Sequence, residues 1–271
     1  MSVAAAWLLG ATAVAAAPPW SINWAPRVDA ERHVGGESVR PVRQTSAVTR
    51  RFEARSRGLL QHEFRDLDLP PVDGAKPDTN SYVHRLTLAW QFHDDALRLD
   101  LGATLAVSSN ALKNADDLEF ADLRPAVGAQ WRAGAAWLAL YADDRLGRTL
   151  VYPGFEVPLQ PTPAHAISLG FPVSSWRWEA APSWQSAVAV EPDGACWRVR
   201  DEAVERRSEV CSRAWQTRFT LRWQPARWLE ATAAFGWRFD GSLEYTLRDG
   251  RAVEVDVPAG PFYGASIGAR F

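Results

Sequence analysis

The chain closes on Phe262-Tyr263-Gly264-Ala265-Ser266-Ile267-Gly268-Ala269-Arg270-Phe271. In an extended strand alternate side chains face opposite ways, so Tyr263, Ala265, Ile267, Ala269 and Phe271 share one face and Gly264, Ser266, Gly268 and Arg270 the other. One face is apolar and the other small or polar. That division suits a strand with lipid on one side and a polar lumen on the other, although a soluble edge strand could show the same alternation. Repetition elsewhere in the chain has to decide.

It does repeat. Leu97, Leu99, Leu101, Ala103, Leu105 and Val107 alternate with Arg98, Asp100, Gly102, Thr104, Ala106 and Ser108, which is nearly perfect period two. Tyr82 to Phe92 places Leu86, Leu88 and Trp90 opposite Arg85, Thr87 and Gln91. Cys211 to Trp223 and Leu229 to Phe239 repeat the pattern, with Arg218, Arg222, Glu230 and Arg238 on the polar parity. Segments of about ten residues match a tilted membrane-crossing strand.

Link lengths sort by side. With Phe271 placed at the periplasmic end, the short links at 224–227, 172–175, 133–134 and 93–95 become periplasmic. The long links at 240–261, 191–210, 151–163, 110–123 and 70–81 become extracellular, as in bacterial barrels. Strands near Trp20 to Asp29, Val39 to Phe52 and Leu59 to Leu69 complete the expectation. It is an all-β protein, a closed antiparallel transmembrane β-barrel of about 12 strands (10 if the first segment is an extension), with short periplasmic turns and long extracellular loops.

Residues 1–17 carry no charge and run through Trp7, Leu8 and Leu9 into Ala13 to Ala17. They are expected to be a signal peptide cleaved near Ala15 to Ala17, leaving 18–271 as one barrel domain. Net charge is −2 and the basic residues are scattered, which argues against nucleic acid as a partner. The 14 Trp fit rings that collect where hydrocarbon meets headgroups.

Cys196 and Cys211 flank a segment assigned to the outside. They share parity with the lipid-facing residues of their strands, so a disulfide staple across a hairpin is expected in an oxidising compartment. Gly264-Ala265-Ser266-Ile267-Gly268 matches a nucleophile elbow only in letters, because that device needs a strand, a turn, a helix and a later His. The five His show no metal-ligand spacing. His165 and Ser168 fall on opposite faces of a strand. Asp116, Asp117 and Glu119 read as a solvated acidic loop, with a divalent cation as the rarer use of such groups. No catalytic, metal or cofactor site is expected.

Arg85, Arg98, Arg124, Arg132, Arg177, Arg218, Arg222 and Arg238 take the polar parity, with Asp100, Glu179 and Glu230 as available partners. In an open pore such a wall favours anions; in a filled barrel the same groups form a buried ion-pair network. The two readings stay open here.

The signal-like start, the alternating strands, Tyr152-Pro153-Gly154-Phe155 followed by Leu169-Gly170-Phe171-Pro172, and the ending Ile267-Gly268-Ala269-Arg270-Phe271 together resemble outer-membrane β-barrel proteins of Gram-negative bacteria that carry no assigned activity. The resemblance implies a porin-like barrel in the bacterial outer membrane, with Tyr263, Ile267 and Phe271 as its assembly signal. Ala269 stands where that signal commonly has a bulky residue. Outer-membrane lipid, the barrel-assembly machinery and small solutes are the expected partners, and the protein is expected to be a monomer. The function read from this is a non-enzymatic structural or small-solute channel role; the alternative is an outer-membrane enzyme acting on lipid or surface polymer.

Overall fold

Leu97 to Ser108 shows how the alternation is used. It pairs with Val83 to His93 so that Leu88 meets Ala103 and Trp90 meets Leu101. Leu86, Leu88, Trp90, Leu97 and Leu101 are exposed, while Thr87, Gln91, Asp100 and Thr104 are buried. Thr87 and Thr104 hydroxyls lie 2.9 Å apart and the Gln91 amide donates to Asp100 at 2.6 Å. Burial is therefore inverted relative to a water-soluble sheet: polar groups satisfy one another inside, and hydrocarbon is the solvent outside.

The computed structural model describes residues 20–34, 37–53, 55–77, 82–109, 122–200 and 207–271. The expected signal peptide at residues 1–17 lies outside them. The strands are β1 (Trp20–Asp29), β2 (Arg32–Val34), β3 (Glu37–Val39), β4 (Val42–Glu53), β5 (Ser56–Asp66), β6 (Tyr82–His93), β7 (Leu97–Ser108), β8 (Asp122–Pro125), β9 (Val127–Ala133) and β10 (Ala136–Asp143). They continue as β11 (Leu150–Thr162), β12 (His165–Phe171), β13 (Ser174–Ala181), β14 (Trp184–Pro192), β15 (Ala195–Arg200), β16 (Arg207–Ala226), β17 (Leu229–Thr246), β18 (Ala252–Val257) and β19 (Gly260–Arg270).

Fourteen of these close a ring in the order β1-β4-β5-β6-β7-β9-β10-β11-β12-β13-β14-β16-β17-β19, and β19 returns to β1 through pairs such as Ile22 with Ala269. β8, β15 and β18 are additional strands and β2–β3 a separate hairpin. Closure gives every strand of the ring a hydrogen-bonded neighbour on each side. Trp20 and Phe271 exchange backbone hydrogen bonds at 3.0 Å, so they lie at one end, called here the turn end. The opposite end carries the longer connections.

The expected count of about 12 is thus corrected to 14, at two places. Residues 151–163, read as an extracellular loop, form β11, which pairs with β10 from Trp137↔Glu156 to Asp143↔Leu150. Pro153, Pro158 and Pro161 hide this strand, because proline removes ladder donors and reads as a breaker. The stretch read as one strand up to Val190 turns back at Pro182-Ser183 into β13 and β14. As a consequence the short link at Pro172-Val173 sits on the side of the long connections, not at the turn end where link length had placed it.

Height around the wall is uneven. β16 and β17 have 20 and 18 residues, and both continue past the ring. At their exit the β16–β17 register shifts between Arg213 and Trp215, opposite Asp240 with φ of 50°. A bulge of this kind bends the paired strands. Beyond it β15, β16, β17 and β18 form a four-stranded cap sheet. β15 meets β7 at Arg198↔Val107, seven strand steps from β16 in either direction around the ring of fourteen. The β15–β16 hairpin therefore crosses the mouth from one wall to the opposite wall.

Trp197, Val199, Val210, Leu243, Tyr245 and Leu247 of the cap pack with Leu67 and Leu69 and with Val83 and Ala106 of the wall into a buried apolar core. Tyr245 donates its hydroxyl to the Pro70 carbonyl at 2.5 Å, and burial pushes the phenol up to about 12. At the turn end, Trp20, Trp90, Trp131, Trp184, Trp223 and Trp228 point outward and are exposed, with Trp184 and Trp223 stacked at 5.8 Å. This is the interfacial placement expected of amphipathic rings.

Candidate functional site

Under the cap the lumen is crossed by a layer of ion pairs centred on Asp193, in the link between β14 and β15. Its carboxylate meets Arg43 at 2.5 Å, Arg238 at 2.7 Å, Arg27 at 3.4 Å and Arg65 at 3.7 Å. Those arginines come from β4, β17, β1 and β5, so one side chain ties four strands together. Arg238 and Arg27 also hold Asp29, at 2.8 and 3.1 Å, and Arg65 holds Glu63 at 2.5 Å. Burial alone would raise the Asp193 carboxyl, but Arg43, Arg238, Arg27 and Arg65 outweigh it and hold the group well below the usual carboxylate range. Removing one partner of such a cluster strands charge in a low-dielectric site, costing about 3–5 kcal/mol.

The layer is anchored to the cap and to the β10–β11 loop. Arg85 on β6 donates to Asp144 at 2.8 Å, and the Cys196 amide donates to the same carboxylate at 3.2 Å. Gly194 N–H donates to the Arg145 carbonyl at 2.8 Å. A Cβ on Gly194 would lie 2.3 Å from Gly147 N, so only glycine allows this approach. Arg145 is held by Asp143 at 2.7 Å. Burial opposes its charge and Asp143 restores it, leaving its pKa above the ordinary value.

Below the layer lies a cavity of about 330 Å³ running down the barrel. Arginines and carboxylates line it in equal number, eight of each, so the wall carries no excess positive charge. Side-chain exposure rises from 5 % at Asp193 and 2 % at Glu191 to 26 % at Glu230 and 44 % at Glu179. The charged side chains of the cavity are thus half-exposed towards the turn end and buried beneath the cap.

Of the residues expected in the lumen, Arg85, Asp100, Arg177, Arg218, Arg222 and Glu230 line the cavity. Arg218 holds Glu191 at 2.9 Å, and Arg222 holds Glu230 at 2.7 Å. Arg98 turns inward, bonds Glu156 at 2.8 Å and lies over the Trp137 ring at 3.9 Å. Four others sit elsewhere. Arg132 is exposed at the turn-end rim, donating to the Gly134 carbonyl at 3.1 Å, and Glu179 shares that rim with Gln185 at 3.3 Å. Arg238 belongs to the layer above the cavity, and Arg124 reaches Glu209 of the cap hairpin. Parity gave each the right face but not the height.

Cys196 and Cys211 stand directly opposite one another and are joined by a disulfide. The register runs unbroken from Pro192↔Trp215 to this pair, so Gly194 inserts no extra residue. Glu209 lies within 4.8 Å of both sulfurs, but the sulfurs are bonded together and Glu209 is paired with Arg124. Tyr263, Ile267 and Phe271 point outward and are exposed. Ser266 lies mid-strand opposite Thr232, with no turn after it. Asp116, Asp117 and Glu119 lie outside the described residues.

Sequence reading missed the centre of the layer. Arg27 and Asp29 had the polar parity of the first strand and were legible. Asp193, Asp144 and Arg145 come from links, where no period assigns a face. It also missed a chain on the outer wall. Ser109 Oγ lies 2.8 Å from His84 Nε2, and His84 Nδ1 lies 3.1 Å from His62 Nε2. Phe64 packs 5.2 Å from the His84 ring. His165 accepts from Trp176 Nε1 at 3.1 Å on the outer face, away from lumenal Ser168.

No protein-family description matches the sequence, and no curated protein does. Solved structures similar in shape include a bacterial polysaccharide outer-membrane secretin, 10 % identical, covering 94 % of this chain and 99 % of its own, with a TM-score of 0.47. An outer-membrane channel from Pseudomonas putida is 7 % identical, covering 96 % and 100 %, with a TM-score of 0.43. The KdgM porin in complex with disordered oligogalacturonate is 8 % identical, covering 93 % and 99 %, with a TM-score of 0.40. Such loose likeness carries no residue's role across. By its own inverted burial, closed ring and aromatic girdle, this chain is an outer-membrane β-barrel.

Proposed function

We propose that the protein is a non-enzymatic small-solute channel whose cell-surface mouth is shut in the conformation described. Short turns face the periplasm in barrels of this kind and the taller loops face outward, so the turn end is periplasmic and the cap lies at the surface. The observation that carries the reading is the cavity with its eight arginines and eight carboxylates, more exposed towards the turn end and covered above by the Asp193 layer and the cap hairpin. With arginines balanced by carboxylates, the open state discriminates by size more than by charge. Planar-bilayer recording tests it. The native protein should give low or brief conductance, and the Cys196→Ser, Cys211→Ser double variant should open more often. A variant with a loosened cap that stays silent would leave a filled structural barrel.

The alternative, an enzyme acting on lipid, is favoured by one observation, the Ser109–His84–His62 chain. Its order is that of nucleophile, base and orienting group, and it faces lipid on the loop side of the wall. A stacked cross-strand His pair, with ring centroids 5.3 Å apart, accounts for the same contacts. Ester hydrolysis in mixed micelles that disappears in Ser109→Ala would establish the enzyme; equal rates in both proteins would remove it.

A further inference from the structure

β12 and β13 have 7 and 8 residues, against the roughly 9–11 that a crossing strand needs. Their neighbours continue above them. β11 pairs with β12 only from Phe155↔Phe171 downward, so among the described residues Leu150 to Gly154 have no ladder partner on that side. β14 pairs with β13 only up to Val190↔Ser174, so Glu191 and Pro192 have none either. With two strands missing, the gap between β11 and β14 is about three strand spacings, or roughly 14 Å.

The gap is roofed. The β10–β11 loop reaches across it and docks on the β14–β15 link through Gly194 N–H to Arg145 O. What remains is a window, with β11 and β14 as its sides, the loop above and Pro172-Val173 below. It lies at the level of the apolar band, because Val151 and Phe155 on its side strand are 70 % and 49 % exposed, and it is closed in this conformation, with Tyr152, Pro172, Glu191 and Pro192 all buried. Unpaired backbone at that depth is tolerated only where it borders a cavity. Pro153 and Pro192, one on each free side, have no N–H to leave unpaired.

The cavity reaches this frame. Its lining includes Phe171, Pro172 and Val173 as well as lumenal Ser168, Ser175 and Tyr141. The Phe171 ring stands between the two sides, edge-on to Tyr152 at 6.0 Å and tilted on Trp215 at 6.2 Å. We propose that the window is a lateral binding site for a single-chain membrane amphiphile with an uncharged or zwitterionic head. Its tail lies outside against Phe155 and Trp176, its head hydrogen-bonds inside near Ser168, Ser175 and Tyr141, and Phe171 is the shutter between them. The equal numbers of lumen arginines and carboxylates give no preference for a charged head. This site does not require the barrel to conduct.

The test uses the full protein in phosphatidylcholine vesicles with a lysophosphatidylcholine carrying a diazirine beside its head, cross-linked by light and mapped by peptide mass spectrometry. Adducts should concentrate on residues 168–175 and around Tyr141. They should rise at least twofold in Phe171→Ala and fall at least fivefold in Val173→Trp, which fills the opening, while adducts on the outer face of β19 stay constant. Excess unlabelled lysophosphatidylcholine should compete the window adducts of the native protein and spare the rest, a readout that needs no variant to fold. Adducts spread evenly around the barrel, or window adducts that neither Val173→Trp nor competition reduces, would overturn the proposal.

Discussion

β16–β17 and β12–β13 stand near one another in the same wall and depart from its mean height in opposite directions. The first pair overshoots the ring, bends at Asp240 and builds a cap across the mouth. The second stops short and leaves a framed gap. In a barrel the ring fixes how many strands there are, but strand length sets where the lumen is shut and where it borders lipid. The tall side is stabilised as a soluble protein is, by an apolar core around Trp197. The short side has no such core, and its opening is filled by one ring, Phe171, resting on two others.

The largest effect is expected at the tall side. Trp197→Ala removes a fully buried ring and should destabilise the cap by about 3–5 kcal/mol, seen as loss of protease protection of the β15–β16 hairpin while the heat-dependent gel shift of the barrel persists. If the whole barrel unfolds with the cap, the two are one cooperative unit and the comparison fails. Asp193→Ala should cost a similar amount, about 3–5 kcal/mol, because Arg43, Arg238 and Arg27 lose their shared counter-ion. Since the Asp193 carboxyl is depressed in the folded state, its contribution is complete above the ordinary carboxylate value of about 4. It is lost only as pH falls towards the depressed value. Hairpin protection measured against pH should stay flat from neutral to about pH 4 and decline below it.

A smaller effect belongs to the staple. The disulfide closes a separation of 15 residues, worth about 3 kcal/mol in the chain-entropy model. Cys196→Ser with Cys211→Ser should loosen the hairpin by that order without changing the ring. The smallest effect is expected at the turn end. Arg222→Ala breaks a half-buried pair with Glu230, whose carboxylate keeps Arg270 at 2.5 Å, and should change stability by no more than about 1 kcal/mol, as read by urea titration.

The same contrast explains what the sequence disclosed. β6, β7, β16, β17 and β19 alternate cleanly because lipid and lumen impose opposite demands on successive residues. Their faces, and the inward turn of Arg85, Arg98, Arg218 and Arg222, were readable from parity alone. β11 was not, because Pro153, Pro158 and Pro161 mimic loop composition. The β13–β14 reversal was missed because Trp178, Ala180, Trp184 and Ser186 keep one parity through the turn. The cap core was missed for a different reason. Leu67, Leu69 and Leu247 lie outside regular strands, and their burial depends on a hairpin arriving from across the mouth. Parity also carries no height, which is why Arg132 and Glu179 were placed with the lumen network and are found at its rim.

Sealing of the lumen at the cell surface, with access from the periplasm, can be read by labelling from the two sides. Thr220 lines the cavity below the Asp193 layer, so a Thr220→Cys variant can be exposed to a membrane-impermeant maleimide in intact cells and in cells whose outer membrane has been opened to give access from the periplasm. Labelling should be fast from the periplasmic side and slow from the surface, with the surface rate rising once Cys196 and Cys211 are replaced by serine. Equal rates from both sides with the cap intact would mean that the surface mouth is not sealed.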